Sequence, residues 1–289
     1  MNSVLNISDL SLSFKTLTSK TDVLHSVDLR IEAGEKVALV GESGSGKSVT
    51  ARIILGLLQE TRSARVSGQV LFEGSDINTM TRRARAALRG TKISMIFQDP
   101  TSSLNPVFTI GHLFNEVLRR NNSKLSADEC NARAKELLAE VSLPDVERVL
   151  SSYPFQLSGG MNQRVMIAMA LANQPTLLLA DEPGTALDVS VQAQTLKVMR
   201  HMVSTHNTAV LFISHNLGVV REFADRVYVI YRGNIVEDGT TAALFRNPQH
   251  AYTRALLAAV PRITGGRLPT VAEDDEAFLQ PRVSHGSEV

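Results

Sequence analysis

The chain has no tryptophan and a single cysteine, Cys130, in 289 residues. One cysteine excludes an internal disulfide and any cysteine-built metal cluster within one chain, and it points to a reducing compartment. An excess of one charge sign is also missing: 30 Lys+Arg stand against 29 Asp+Glu, a formal net charge of +1. That is not the basic footprint of a nucleic-acid binder. No apolar run approaches the roughly 18–20 residues of a membrane span; the longest, at 176–180 and 209–213, have the length of a buried strand. Residues 1–12 lack the basic head and apolar stretch of a secretion signal. No internal repeat is visible. What is present suffices for a core: 43% of residues are apolar and 20% charged. The length suits one large domain or two small ones.

Alternation of apolar and polar residues predicts strands over 4–14, 23–31 and 66–72. Residues 36–40 form a short apolar strand that runs into a Gly/Ser loop. From Ser48 onward, Ala51, Ile54, Leu55 and Leu58 recur at helical spacing. Strand, glycine loop and helix in that order open an α/β nucleotide fold. After a strand at 92–97 the character changes. Helices are expected over 109–120 and 127–141, the second with a capping box of Ser126 and Glu129. Residues 99–165 therefore read as a helical insert. Buried strands at 177–180 and 209–213, with a helix near 189–201 between them, fit parallel β-α-β units. Arg232-Gly233 joins a hairpin of 227–231 and 234–237, and a helix is expected over 250–260. From residue 264 the chain is Gly/Pro-rich and then acidic (Glu273, Asp274, Asp275, Glu276), which predicts a disordered tail.

Three segments carry chemistry. Gly41-Glu42-Ser43-Gly44-Ser45-Gly46-Lys47-Ser48 matches G-x-x-x-x-G-K-[ST] at every fixed position. Its glycines let backbone N–H groups converge on phosphate oxygens, and the helix that follows adds its positive N-terminal end. Lys47 supplies a point charge for the β/γ-phosphates, and the Ser48 hydroxyl suits Mg²⁺. The plain alternative, a flexible surface loop, does not explain the strand before it and the helix after it. Leu177-Leu178-Leu179-Ala180 runs straight into Asp181-Glu182. That puts two carboxylates at the carboxyl edge of a sheet, where α/β ligands bind. There Asp181 suits a Mg²⁺-linked role and Glu182 suits polarising an attacking water; alone, the pair would read as a helix cap or solvated turn. Leu157-Ser158-Gly159-Gly160-Met161 precedes another helical pattern (Val165, Ile167, Ala168, Leu171). Ser158 can cap that helix, and its glycines admit a phosphate.

With these segments in place, residues 4–261 resemble the ATP-binding subunit of an ABC transporter. Gly41–Ser48 looks like the Walker A loop, Leu177–Glu182 like Walker B and Leu157–Met161 like the ABC signature. Ile96-Phe97-Gln98-Asp99-Pro100 is similar to the Q-loop. Ala186-Leu187-Asp188 is similar to the D-loop, and Ile213-Ser214-His215 to the switch histidine. Two longer stretches, 97–106 and 247–257, resemble the oligopeptide/dipeptide/nickel importer ATPases.

The resemblance implies a P-loop NTPase (RecA-like) α/β core over 1–98 and 166–246, with an N-terminal antiparallel β-subdomain. It further implies an α-helical subdomain inserted at 99–165, a family segment at 247–261 and a tail at 262–289. ATP would sit on Gly41 to Ser48 and Val49. With no tryptophan in the chain, adenine must stack on Phe or Tyr; Phe14 is the candidate by position, its alternative being a strand core residue. Mg²⁺ would take Ser48, Gln98 and Asp181. Glu182, His215 and Gln98 would be catalytic, although Gln98 alone reads as a solvated loop residue and His215 alone as an ordinary histidine. Ser158, Gly159, Gly160, Met161 and Asp188 would act on the nucleotide of a second ATPase subunit, identical or homologous; Asp188 also reads as a simple helix cap.

The implied function is ATP hydrolysis that energises uptake of peptides or a related small solute. Two separate permeases and an extracytoplasmic solute-binding protein would be the partners, with no nucleic acid, at the cytoplasmic face of the membrane. The competing function is a soluble ABC ATPase acting on ribosomes or DNA; net charge and single motifs speak against it. Three features depart from the family pattern. Gly184 stands where Thr is frequent, and Asn162 where Arg is common. No cysteines follow residue 257, so no iron–sulfur cluster is expected.

Overall fold

The apolar alternation near the start of the chain produces two long strands, β1 (Ser3–Lys15) and β2 (Lys20–Glu32). Leu5, Ile7, Leu10 and Leu12 of β1 and Leu24, Val27, Leu29 and Ile31 of β2 are all buried. The computed structural model describes residues 3–16, 19–184, 188–259, 278 and 280–285. These divide into two compact units, residues 1–80 with 211–289, and residues 81–210.

In the first unit the chain continues through β3 (Lys36–Val40), α1 (Lys47–Ile54), β4 (Ala64–Phe72) and β5 (Ser75–Asp76). The second unit holds α2 (Arg82–Leu88), β6 (Ile93–Ile96), α3 (Pro100–Ser103), α4 (Ile110–Asn121), α5 (Ala127–Glu140) and α6 (Val146–Ser151). It goes on with α7 (Gly159–Leu171), β7 (Leu177–Asp181) and α8 (Val189–Thr205). β8 (Ala209–Ser214) begins in the second unit and ends in the first. The first unit is completed by α9 (Leu217–Phe223), β9 (Arg226–Tyr231), β10 (Asn234–Thr240), α10 (Thr241–Arg246), α11 (Ala251–Ala258) and β11 (Val283–Ser284).

β1 pairs antiparallel with both β2 and β4, which makes a small sheet with β5 at its edge. A second sheet of this unit runs in the order β11, β10, β9, β3 and β8. β3 is parallel to β9, and Val37 to Val40 are fully buried, as the continuous apolar run requires of a strand covered on both faces. β9 and β10 form the expected hairpin. Arg232 and Gly233, with φ of 45° and 79°, turn it, both in the left-handed region that such two-residue hairpins use.

In the second unit β6 and β7 pair in parallel, with Leu177 to Ala180 wholly buried. The helices around them share an apolar interior of Phe114, Leu137, Leu138, Val141, Val165 and the cysteine, Cys130. The predicted capping box at α5 is formed: the Ser126 hydroxyl accepts the Glu129 N–H, and the Glu129 carboxylate accepts the Ser126 N–H at 2.8 Å. Among the described residues no helix is long and apolar enough to cross a membrane.

Composition misleads in the tail. The expected disorder of 262–289 does not hold for its last described stretch. β11 pairs in parallel with β10, matching Val283 to Glu237 and Ser284 to Asp238. Arg282 and Ser284 donate to the Asp238 carboxylate, His285 Nε2 lies 2.6 Å from Glu237 Oε1, and Phe278 is buried. An edge strand offers a row of unpaired N–H and C=O groups, so a few residues with matching charges can dock there whatever surrounds them. Residues 260–277 lie outside those described.

Candidate functional site

The phosphate loop joins β3 to α1. Gly41 has no room for a side chain, since a Cβ would lie 2.1 Å from the Ile230 carbonyl oxygen. Gly46, the N-cap of α1, has φ of 112°, and a Cβ there would lie 2.5 Å from the Leu24 side chain. Lys47 is buried, and its ammonium donates to the carbonyl oxygens of Gly41 at 2.8 Å and Glu42 at 2.6 Å. The loop is thus folded around its own lysine at the N-terminus of α1. The Ser45 hydroxyl is buried in the loop with no hydrogen-bond partner. A buried orphan donor beside a buried ammonium and a helix N-terminus fits a phosphate. Ser48 and Val49 are half-buried on the first turn of α1.

In the second unit, β7 ends on Asp181, which is buried, and passes directly to Glu182. Glu182 has φ of 49°, a left-handed conformation that non-glycine residues adopt at some cost and that often marks a working position. The Gln98 amide, just after β6, donates to Glu182 Oε2 at 3.1 Å. The parallel pairing of β6 and β7 sets Ile96 opposite Ala180, and this register brings two side chains 84 positions apart into contact. An amide oxygen, a serine hydroxyl and a carboxylate are the hard donors that Mg²⁺ takes, so Gln98, Ser48 and Asp181 fit that ion chemically.

Ser158 caps α7 as expected, its hydroxyl accepting the Met161 N–H at 3.3 Å. Gly159 and Gly160 form the first turn of that helix. Asn162, which replaces a common arginine, makes no charge contact. It is buried and donates to the Pro154 carbonyl at 2.9 Å. Asp188 is the N-cap of α8 but makes no side-chain capping bond. Ala186 and Leu187 of the same motif lie outside the described residues.

His215 is exposed between β8 and α9, in the first unit, next to the Asn216 that caps α9. Phe14 is half-buried in β1, opposite Thr21 on β2 and Ala64 on β4.

One contact with the phosphate loop was missed from the sequence. Tyr252 of α11 accepts the Glu42 N–H on its hydroxyl at 3.0 Å, across 210 positions. Only its place in the family-like stretch 247–257 drew attention to it; no local pattern ties it to the loop.

A family model described as ABC transporter matches residues 24–185. The chain belongs to the ABC transporter family, among its ATP-binding subunits. A second model, described as oligopeptide/dipeptide transporter, C-terminal region, matches residues 236–281 and places the chain in that branch. It is 50% identical over 259 residues to the peptidoglycan transport ATP-binding protein YejF of Agrobacterium fabrum, a match that covers 90% of this chain and 47% of the relative. The chain thus spans about half the length of that relative.

The oligopeptide transport ATP-binding protein OppD of Bacillus subtilis is 45% identical over 260 residues, which cover 90% of this chain and 72% of that protein. Among solved structures, the dimeric post-hydrolysis cassette MJ0796 bound to ADP and Pi superposes with a TM-score of 0.73 at 29% identity, over 82% of this chain and 98% of that one. The cbiO1 cassette of Clostridium perfringens gives 0.71 at 25%, over 86% and 92%. The fold is therefore that of the P-loop ABC cassettes. Both relatives named are transport ATP-binding proteins, which does not favour the ribosome or DNA alternative.

Proposed function

We propose that this chain binds ATP and Mg²⁺ on Gly41 to Val49 and hydrolyses the nucleotide to drive uptake of a peptide or related small solute through separate permease subunits. The observation that carries the reading is the buried Lys47 ammonium, held on two loop carbonyls at the start of α1. The carbonyls hold the ammonium in place, from where it would add a charge-assisted bond to an arriving phosphate oxygen. Bound Mg²⁺ neutralises developing phosphate charge; Ser48, Gln98 and Asp181 are the residues that would hold it. Glu182 orients and polarises the attacking water, and Gln98, already bonded to it, sets the direction of its carboxylate. His215 supplies a further donor toward the γ-phosphate, and Phe14 stacks on adenine.

The chain holds one phosphate loop and one Ser158-Gly159-Gly160-Met161 segment. We infer that the latter and Asp188 complete the site of a second ATPase subunit, identical or homologous, in a head-to-tail dimer. The relative MJ0796 is dimeric with ADP and Pi bound. The permeases would dock on the helical unit. That unit exposes Val107 (73%) and Phe155 (71%), the latter stacked on Tyr153, near a second stacked pair of Phe108 and His112. Exposed large apolar groups of this kind mark interaction surfaces. An extracytoplasmic binding protein would deliver the solute, and the subunit would sit at the cytoplasmic face of the membrane.

Two substitutions test the reading. Lys47→Ala should lose most ATP binding in an equilibrium titration. Glu182→Gln should keep ATP binding and lose at least about a hundredfold in turnover, the scale of a positioned general base. Near-normal hydrolysis by Glu182→Gln in the assembled transporter would remove Glu182 from its role, and wild-type affinity in Lys47→Ala would remove the loop.

A further inference from the structure

The Gly41–Glu42 peptide unit is gripped from both ends. Its carbonyl accepts Lys47 Nζ at 2.8 Å, and its N–H donates to the Tyr252 hydroxyl at 3.0 Å. A peptide group is planar and rigid, so whatever fixes the direction of the N–H also fixes the carbonyl on which the lysine rests. Tyr252 is fully buried. Burial pushes its phenol far above the ordinary range, so the acceptor is a neutral hydroxyl at any working pH.

The ring is held in turn. Tyr231 packs on it at 4.4 Å between centroids, and Phe278 meets it nearly edge-on at 5.5 Å and 74°. Phe278 belongs to the C-terminal stretch that β11 ties to β10. Two further bonds define where α11 starts: the fully buried Glu237 carboxylate accepts the N–H groups of Gln249 at 2.8 Å and His250 at 3.0 Å. His250 then places Tyr252, whose N–H it accepts at 3.2 Å on Nδ1.

We propose that Tyr252 is a positioning residue for the phosphate loop: its hydroxyl orients the Gly41–Glu42 peptide and through it the Lys47 ammonium. The C-terminal segment thereby sets the nucleotide affinity of a loop some 200 positions earlier in the chain. The proposal rests on the reading of that loop as the ATP site. It adds a role for the C-terminal segment that the motifs do not contain.

The test is ATP binding by the full-length chain with Tyr252→Phe, measured without Mg²⁺ so that hydrolysis does not intervene. Phenylalanine keeps the ring contacts with Tyr231 and Phe278 and deletes only the acceptor. Binding should weaken about three- to tenfold, the worth of one neutral hydrogen bond, with little change in melting temperature. The Glu42 amide should exchange its hydrogen faster, while the β3 amides stay protected.

ATP affinity within about 1.5-fold of wild type overturns the proposal, as does a fall in melting temperature with no change in affinity, which marks a purely structural tyrosine. Lys47→Ala serves as the parallel arm. If it still binds ATP, the loop assignment fails; if it does not and Tyr252→Phe binds normally, only the role of Tyr252 fails. Should Tyr252→Phe not fold, Phe278→Leu keeps the hydroxyl and loosens the ring. Faster Glu42 exchange with weaker ATP binding then supports the proposal, and no change in either overturns it.

Discussion

Glu237 offers the sharpest test of how the C-terminal part of this protein is held. Its carboxylate is fully buried. It accepts two backbone N–H groups at the start of α11 and faces His285 Nε2 at 2.6 Å. Burial alone would raise its pKa. The neighbouring Thr253 hydroxyl, the Gln249 N–H, His285 and the His250 N–H together hold it below the usual carboxylate range.

Replacing it with alanine strands the buried His250 N–H and the part-buried Gln249 N–H. At roughly 1–3 kcal/mol for each unsatisfied group, the loss comes to about 2–6 kcal/mol. For a domain of this size about 1 kcal/mol moves the melting temperature by roughly 2–4 °C, so Glu237→Ala should lower it by roughly 4–24 °C. Glu237→Gln keeps one acceptor oxygen and no charge, and should lose less.

The pH dependence carries a sign. A carboxyl with a depressed folded pKa contributes stability that is complete above the ordinary value near pH 4.3 and is lost as pH falls through the lower folded value. The gap between wild type and Glu237→Gln should therefore be constant at neutral pH and close in acid. Calorimetric melts at a series of pH values read both effects. A drop of less than about 2 °C for Glu237→Ala, or a gap that widens toward acid, would refute the reasoning.

Other outcomes are expected. Ser126→Ala breaks the capping box of α5 and should cost about 1 kcal/mol, measured by urea denaturation, with ATP binding unchanged. Aspartate at both Val107 and Phe155 leaves the core intact, because both side chains are exposed. It should abolish copurification of the permeases while ATP binding by the isolated chain persists; retained copurification would place the docking surface elsewhere.

Much of the site was legible because its signals are local. A glycine loop, a lysine and a helix start are consecutive, and their hydrogen bonds close within six residues, as between Lys47 and Gly41. The same holds for the Ser126 capping box and the Arg232-Gly233 turn: backbone dihedrals and side chains three residues apart decide them. Buried strands such as β3 and β7 announce themselves by continuous apolar runs. The family resemblance added roles to these segments, and the matches to known proteins bear out the family and the fold.

By itself, then, the sequence determined the loop chemistry, the helix caps and the strands, which depend on neighbours along the chain. Only the tertiary structure decided what depends on register and docking. The pairing of β6 with β7 aligns Gln98 with Glu182, and no pattern within either segment encodes that alignment. The tail read as disordered because composition averages over its acidic and glycine-rich residues, whereas docking needs only Phe278, Arg282 and His285 to meet partners on one strand edge and one ring cluster. Tyr252 reaches Glu42 for the same physical reason: a single hydroxyl placed by packing leaves no period, run or spacing in the chain that carries it.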